Sequence, residues 1–230
     1  DLESHLGEPP VLNKIGIITR IKEGKCKKRV ILDTSASAVK HASHKGQRVL
    51  LPRLLDAVFQ ILSLMSLCTA DTAVQLMVLD FKEAFWQIPL RPHERKFFCA
   101  MLTVEGILKY LMFLQTPQGS RAAPQTWART AALLMRLTCS LFDDSVLKLM
   151  CFVDDPLAVI HGAKLDRQFT IALIVLVWEA LGFELSYEKG QTGSSITWIG
   201  GEFELSRSSL RVSVKQSIIA DIVEALNSFQ

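Results

Sequence analysis

Apolar positions fall into short blocks separated by polar turns, and their spacing predicts most of the elements. Residues 15–21 and 29–32 are strand-like stretches. Pro52 stands near the start of a helix through Leu54, Leu55, Val58, Phe59, Ile61 and Leu62. A strand is predicted over 75–81, and 97–104 with 107–113 read as a hairpin around Glu105-Gly106. After the loop 116–120 comes a helix to about residue 140, rich in Ala, Leu, Arg and Met. Two apolar strands, 147–153 and 157–160, are parted only by Asp154, Asp155 and Pro156. A helix over about 166–181 is stopped by Gly182, and 196–205 and 210–214 are closing strands. Ile218, Ile219, Ile222, Val223, Leu226 and Phe229 recur at helical intervals, with Ser213 and Gln216 at capping-box spacing before them. From residue 75 onward, leaving the hairpin aside, the order is strand, helix, strand, strand, helix, strand. That is the split βαβ, or ferredoxin-like, plan, and the fold class expected is α+β.

Composition narrows the class. Hydrophobic residues make up 49% of the 230, and the mean hydropathy is +0.26, enough for a real core and contrary to disorder. The longest apolar run, 171–178, has eight residues where a membrane span needs about 20. The formal charge of +3 is uneven: positions 14–53 hold eleven Lys/Arg against two acids, a local +9. A basic front before a slightly acidic body fits a polyanion held against something that needs carboxylates. The cysteines, Cys26, Cys68, Cys99, Cys139 and Cys151, form no close pair, which reads as reduced thiols in an intracellular protein, in the cytoplasm or the nucleus. No two share a zinc-ligand spacing, and the pattern that stops at Gln230 reads as a piece of a longer chain.

Two Asp-Asp pairs occur, and they differ in context. Asp143-Asp144 follows a helix in a polar connection and reads as a solvated loop. Asp154-Asp155 is wedged between two core strands, where adjacent like charges raise each other's proton affinity unless a cation neutralises them. Asp80 ends the apolar strand before it. If strands 75–81 and 147–153 are neighbours, the three acids meet at one sheet edge; otherwise they are ordinary turn residues. Three hard oxygen donors without His or Cys specify Mg²⁺ rather than Zn²⁺. A pair of such ions about 3.5–4 Å apart serves in-line phosphoryl transfer.

Five segments then stand together: LDFKEAFWQIPL (79–90), TPQGSRAAPQTW (116–127), FVDD (152–155), LGFELSYEK (181–189) and WIGGEFEL (198–205). In order and approximate separation they resemble the palm motifs of reverse transcriptases, most closely those of retroelement polyproteins, from about residue 14 to the end. The resemblance implies a right-hand polymerase palm over 71–205 with an inserted hairpin at about 95–113. It further implies partial fingers over 1–70, a primer-grip exit and the start of a thumb or connection over 206–230, and a thumb otherwise absent or truncated. It implies that Asp80, Asp154 and Asp155 are the catalytic acids and, with the Phe81 carbonyl, hold two Mg²⁺ ions, for which Mn²⁺ can substitute. By the same resemblance Phe85 is a steric gate against a 2′-hydroxyl, Gln118 and Gly119 lie against the nucleotide, and Lys189 protonates pyrophosphate. Trp198, Ile199 and Gly200 match the primer grip. Lys22, Arg29 and Asp33 reproduce a fingers spacing in which Lys22 and Arg29 grip the triphosphate. Lys25, Lys27, Lys28, Lys40, Lys45 and Arg48 are generic backbone contacts or solvated charge. Arg121 either reaches phosphate or is solvated. The implied partners are an RNA template, a DNA or RNA primer, dNTPs and further polyprotein domains, with no membrane.

Pro156 departs from the pattern. A proline there removes a ladder N–H, and a tight hairpin needing positive φ at Asp155 would be strained. Activity is then expected to be lowered or lost, and a Pro156→Leu change to raise primer extension. Two other readings remain open at this point: a viral-type RNA-dependent RNA polymerase, against which Phe85 speaks, and an inactive nucleic-acid-binding remnant, for which Pro156 speaks.

Overall fold

The computed structural model describes residues 2–22, 25–43 and 46–228. Its elements run α1 (Leu2–Leu6), β1 (Leu12–Lys22), β2 (Lys25–Asp33), α2 (Val39–Ala42), α3 (Leu54–Met65), β3 (Ala73–Val78), β4 (Cys99–Val104) and β5 (Ile107–Met112). They continue with α4 (Ala123–Cys139), β6 (Leu147–Phe152), β7 (Asp155–Gly162), α5 (Lys164–Ala180) and β8 (Gln191–Gly193). Last come β9 (Ser195–Trp198), β10 (Gly201–Leu205), β11 (Leu210–Val214) and α6 (Gln216–Asn227). The chain divides into two compact units, residues 1–49 with 83–129 and residues 50–82 with 130–230.

In the first unit the strands order β2-β1-β4-β5. The predicted hairpin is β4 and β5, closed where Glu105 (φ 54°) and Gly106 (φ 78°) both take the left-handed region that a two-residue turn demands. β1 meets β4 in parallel only at Leu12↔Cys99 and Asn13↔Ala100. There the buried Asn13 amide donates to the carbonyls of Val11, Phe97 and Cys99, so a short contact is fastened by one side chain. Leu32, Leu90, Ala100 and Phe113 form the core, with the Trp86 ring 5.5 Å from Phe113.

The second unit holds two sheets among the described residues. One orders β6-β7-β3-β8, every pair antiparallel. α3 covers one face with Ala57, Ile61 and Leu64 against Leu76, Val78, Leu157 and Val159. Met77, Leu79, Ala158 and Ile160 alternate with these and are buried as well. Burial on both faces is why β3 and β7 read as continuous apolar runs. α5 buries Thr170, Ile174 and Trp178, one residue per turn, and the Trp178 indole donates to Thr138 Oγ1 at 2.7 Å. Gly182 at φ 85° ends that helix as predicted.

Three expectations are corrected here. Strands 75–81 and 147–153 are not neighbours, because β7 lies between β3 and β6. Residues 196–205 are not one strand: the chain turns at Ile199 (φ 44°) and Gly200 (φ 85°), and β9, β10 and β11 form a separate sheet. Ser213 caps nothing, since it lies in β11 opposite Glu202 and Lys215 precedes α6 without a side-chain cap. Phe229 lies outside the described residues. No helix among the described residues is long and apolar enough to cross a membrane.

Candidate active site

The hydrogen-bond ladder between β3 and β7 continues past the end of β3. Leu79 N–H donates to the Pro156 carbonyl at 3.2 Å and Phe81 N–H to the Asp154 carbonyl at 3.0 Å. Asp80 therefore sits beside the β6–β7 turn although β3 and β6 are apart. Its own carbonyl accepts Ser186 N–H at 2.8 Å, so the residue is pinned from two sides. The side chain is only 14% exposed, and Lys189 Nζ rests on its Oδ2 at 2.5 Å. Lys189 ends a single 3₁₀ turn, Tyr187–Lys189, just before β8.

Phe152 pairs with Asp155, leaving Val153 and Asp154 as a two-residue hairpin turn. Positive φ falls on Val153 (57°) and not on Asp155, so the strain expected at Asp155 is absent. A β-branched residue carries it instead. Pro156 is not at an edge: it lies buried in β7 between two partner strands, facing Cys151 in β6.

Burial first, then the charges of Asp154 and Asp80, push the half-buried Asp155 carboxyl up to about 6, with Lys189 opposing and a hydrogen bond with Asp80 adding to the rise. Cys151 beneath donates its thiol to the Val153 carbonyl at 3.2 Å and is pushed up to about 12, chiefly by burial, which leaves it protonated and inert. Among the described residues no group of three or more His, Cys, Asp or Glu side chains could hold a metal ion as it stands. The donor chemistry nonetheless fits a hard divalent cation. The acids brought together are Asp80 and the Asp154-Asp155 pair, all oxygen donors, and the field around Asp155 already disfavours its charge.

Trp198 ends β9 and is 1% exposed. Its indole N–H donates to the Asp155 carbonyl at 3.0 Å, a contact across 43 positions that no local pattern announces. Ile199 packs against the α3 core, so what the 199–200 turn presents is mainly its backbone.

The other predicted residues belong to the first unit. Gln118 accepts Leu32 N–H on its carbonyl at 2.8 Å. A Cβ on Gly119 (φ 102°) would stand 2.2 Å from the Leu32 carbonyl, so the close approach this glycine permits is to β2. Phe85 is half-buried in a 3₁₀ turn, Ala84–Gln87. Arg29 is exposed and faces Ile18 across the ribbon. Register puts Lys14, Arg20 and Arg29 on one face and Ile15, Ile17, Ile21, Val30 and Leu32 on the other. Lys22 ends β1 opposite Lys25; the side chains of Lys22, Lys25 and Lys27, and all of Lys45, lie outside the described residues. Arg121 is exposed, and its Nη1 donates to the Lys40 carbonyl at 3.1 Å. Asp143 caps its own turn at Ser145, as a loop residue does.

Several sheets combined with helices make this a mixed α+β chain. A solved structure with a similar fold is the foamy viral protease–reverse transcriptase dRH in complex with ds DNA, with a TM-score of 0.60 and 17% sequence identity. The match covers 90% of this chain and 31% of that one, so the chain spans about a third of its neighbour's length. At that identity the likeness is one of fold. No family model matches the sequence, and no curated protein does.

Proposed function

We propose that the chain is the palm and partial fingers of a reverse transcriptase, adding dNTPs to a primer 3′-hydroxyl on an RNA template. The observation that carries this reading is the meeting of Asp80, Asp154 and Asp155 beside Lys189, from segments up to 109 positions apart. The sheet order β6-β7-β3-β8, with α4 between β3 and β6 and α5 between β7 and β8, supports the split βαβ plan, alongside the five motifs that carry the resemblance. Asp80, Asp154, Asp155 and the Phe81 carbonyl would hold Mg²⁺, which when bound acidifies the attacking hydroxyl and offsets charge on the departing pyrophosphate.

The chain's own groups do the remaining work. Lys189 holds Asp80 in the resting protein and is the donor of the proton that pyrophosphate takes up. Phe85 excludes a 2′-hydroxyl. Arg29 with Lys22 binds phosphate oxygens, Arg through forked donors and Lys as a point charge. Gln118 and Gly119 line the nucleotide, and the backbone at 198–200 seats the primer end. Partners are the RNA template, the primer and dNTPs.

Mg²⁺-dependent extension of a DNA primer on an RNA template, with dNTPs and rNTPs compared, tests this. Extension with dNTPs alone is the expected result. Extension with rNTPs would make the chain an RNA polymerase, and template binding without extension a binding remnant.

A further inference from the structure

Three consecutive carbonyls at the acid turn are each held by a different donor. The Asp154 carbonyl takes Phe81 N–H, the Pro156 carbonyl takes Leu79 N–H, and the Asp155 carbonyl between them takes the Trp198 indole. Leu79 and Pro156 are opposed in the β3–β7 register, and in a hydrogen-bonded antiparallel pair each residue returns the other's bond. Pro156 has no N–H to return. The backbone carrying Asp155 is thus one bond short toward β3, at a position where a misplacement of about 1 Å matters to a reacting group.

We infer that Trp198 is a positioning residue: its indole N–H replaces the anchor that Pro156 cannot supply and fixes the main chain under Asp155. The indole is buried in the α3 core beside Phe203, so it is a rigid donor and is not offered to a primer. It also ties the 199–200 turn to the acid turn, so a shift in one moves the other. The positioning role rests on the reading of Asp155 as a catalytic acid; the substitute-anchor role does not.

The test removes the donor and keeps the ring. Position 198 is changed to 3-benzothienylalanine, in which sulfur replaces N–H, and in parallel to Phe, each with Pro156 and with Pro156→Ala. Loss of the donor lowers kcat for single-dNTP addition about tenfold, with KM for dNTP within about twofold. Pro156→Ala, which restores a backbone N–H, cuts that loss to about threefold or less. An equal loss in both backgrounds, or a rise in KM at constant kcat, overturns the proposal. Should the unaltered chain extend no primer, the function fails, and the anchor is read by NMR and melting. A slowly exchanging Trp198 indole proton and a non-additive melting shift between positions 198 and 156 uphold it. A freely exchanging proton or additive shifts refute it.

Discussion

Replacing Asp155 with Asn removes a charge that the fold holds at a disadvantage while keeping the side chain's size. The carboxyl is lifted from its ordinary 3.8 to about 6 by burial and by Asp154 and Asp80. At full weight that lift costs the ionised form ~3 kcal/mol. The group is only half-buried, so solvent screening leaves about 1–1.5 kcal/mol. Because the folded value lies above the ordinary one, the native chain binds more protons than the unfolded chain between about pH 4 and 6. Stability contributed by this group therefore falls as pH rises through that window, and the cost is complete above it. Urea unfolding with EDTA at pH 4, 5, 6, 7 and 8 reads the effect. Asp155→Asn gains about 1 kcal/mol over the unaltered chain at pH 7–8, or roughly 2–4 °C in melting temperature, and nothing at pH 4. A gain that is the same at pH 4 and pH 8, or no gain at pH 8, refutes the electrostatic account of this turn.

Three further outcomes are expected, the first from the packing of Gly119 and the other two from the proposed function. Gly119→Ala sets a Cβ against the Leu32 carbonyl at a φ of 102° and destabilises the chain by about 2 kcal/mol or more, measured by urea unfolding. Phe85→Val relaxes discrimination against rNTPs by about tenfold or more in kcat/KM, while dNTP addition persists. Lys189→Ala frees Asp80 from its ion pair and lowers kcat for nucleotide addition by about 10²-fold or more, with template binding unchanged by fluorescence anisotropy.

Periodicity was a good guide where local interactions decide the outcome. The β4–β5 hairpin follows from Glu105-Gly106, the end of α5 from Gly182, and both β6 and β7 from their apolar runs. Strand order was not legible in the same way. β7 separates β3 from β6 because hydrogen-bonded neighbours are chosen by tertiary packing, yet the acids still meet, since Asp154 lies in the turn that leads into β7 and Asp155 opens that strand. The break at Ile199-Gly200 was hidden inside a continuous apolar pattern that a single strand explains equally well. Proline chemistry predicted trouble at Asp155, but the turn moved the positive φ onto Val153 and left Asp155 extended within β7. Charge counting marked the basic front. Only the register showed that Lys14, Arg20 and Arg29 share one face of the ribbon while its other face is mostly apolar. The Lys189–Asp80 ion pair and the Trp198–Asp155 hydrogen bond join residues 109 and 43 positions apart, beyond the reach of any windowed pattern.

In the proposed function the carboxylates past the end of β3 and at the β6–β7 turn carry nucleotidyl transfer. Single-nucleotide incorporation measured by rapid quench with Mg²⁺, comparing the unaltered chain with Asp80→Asn and Asp154→Asn, tests it most directly. The expected result is dNTP addition by the unaltered chain and a loss of about 10³-fold or more in each variant, with folding and primer–template binding intact. Incorporation at an undiminished rate in either variant would contradict it.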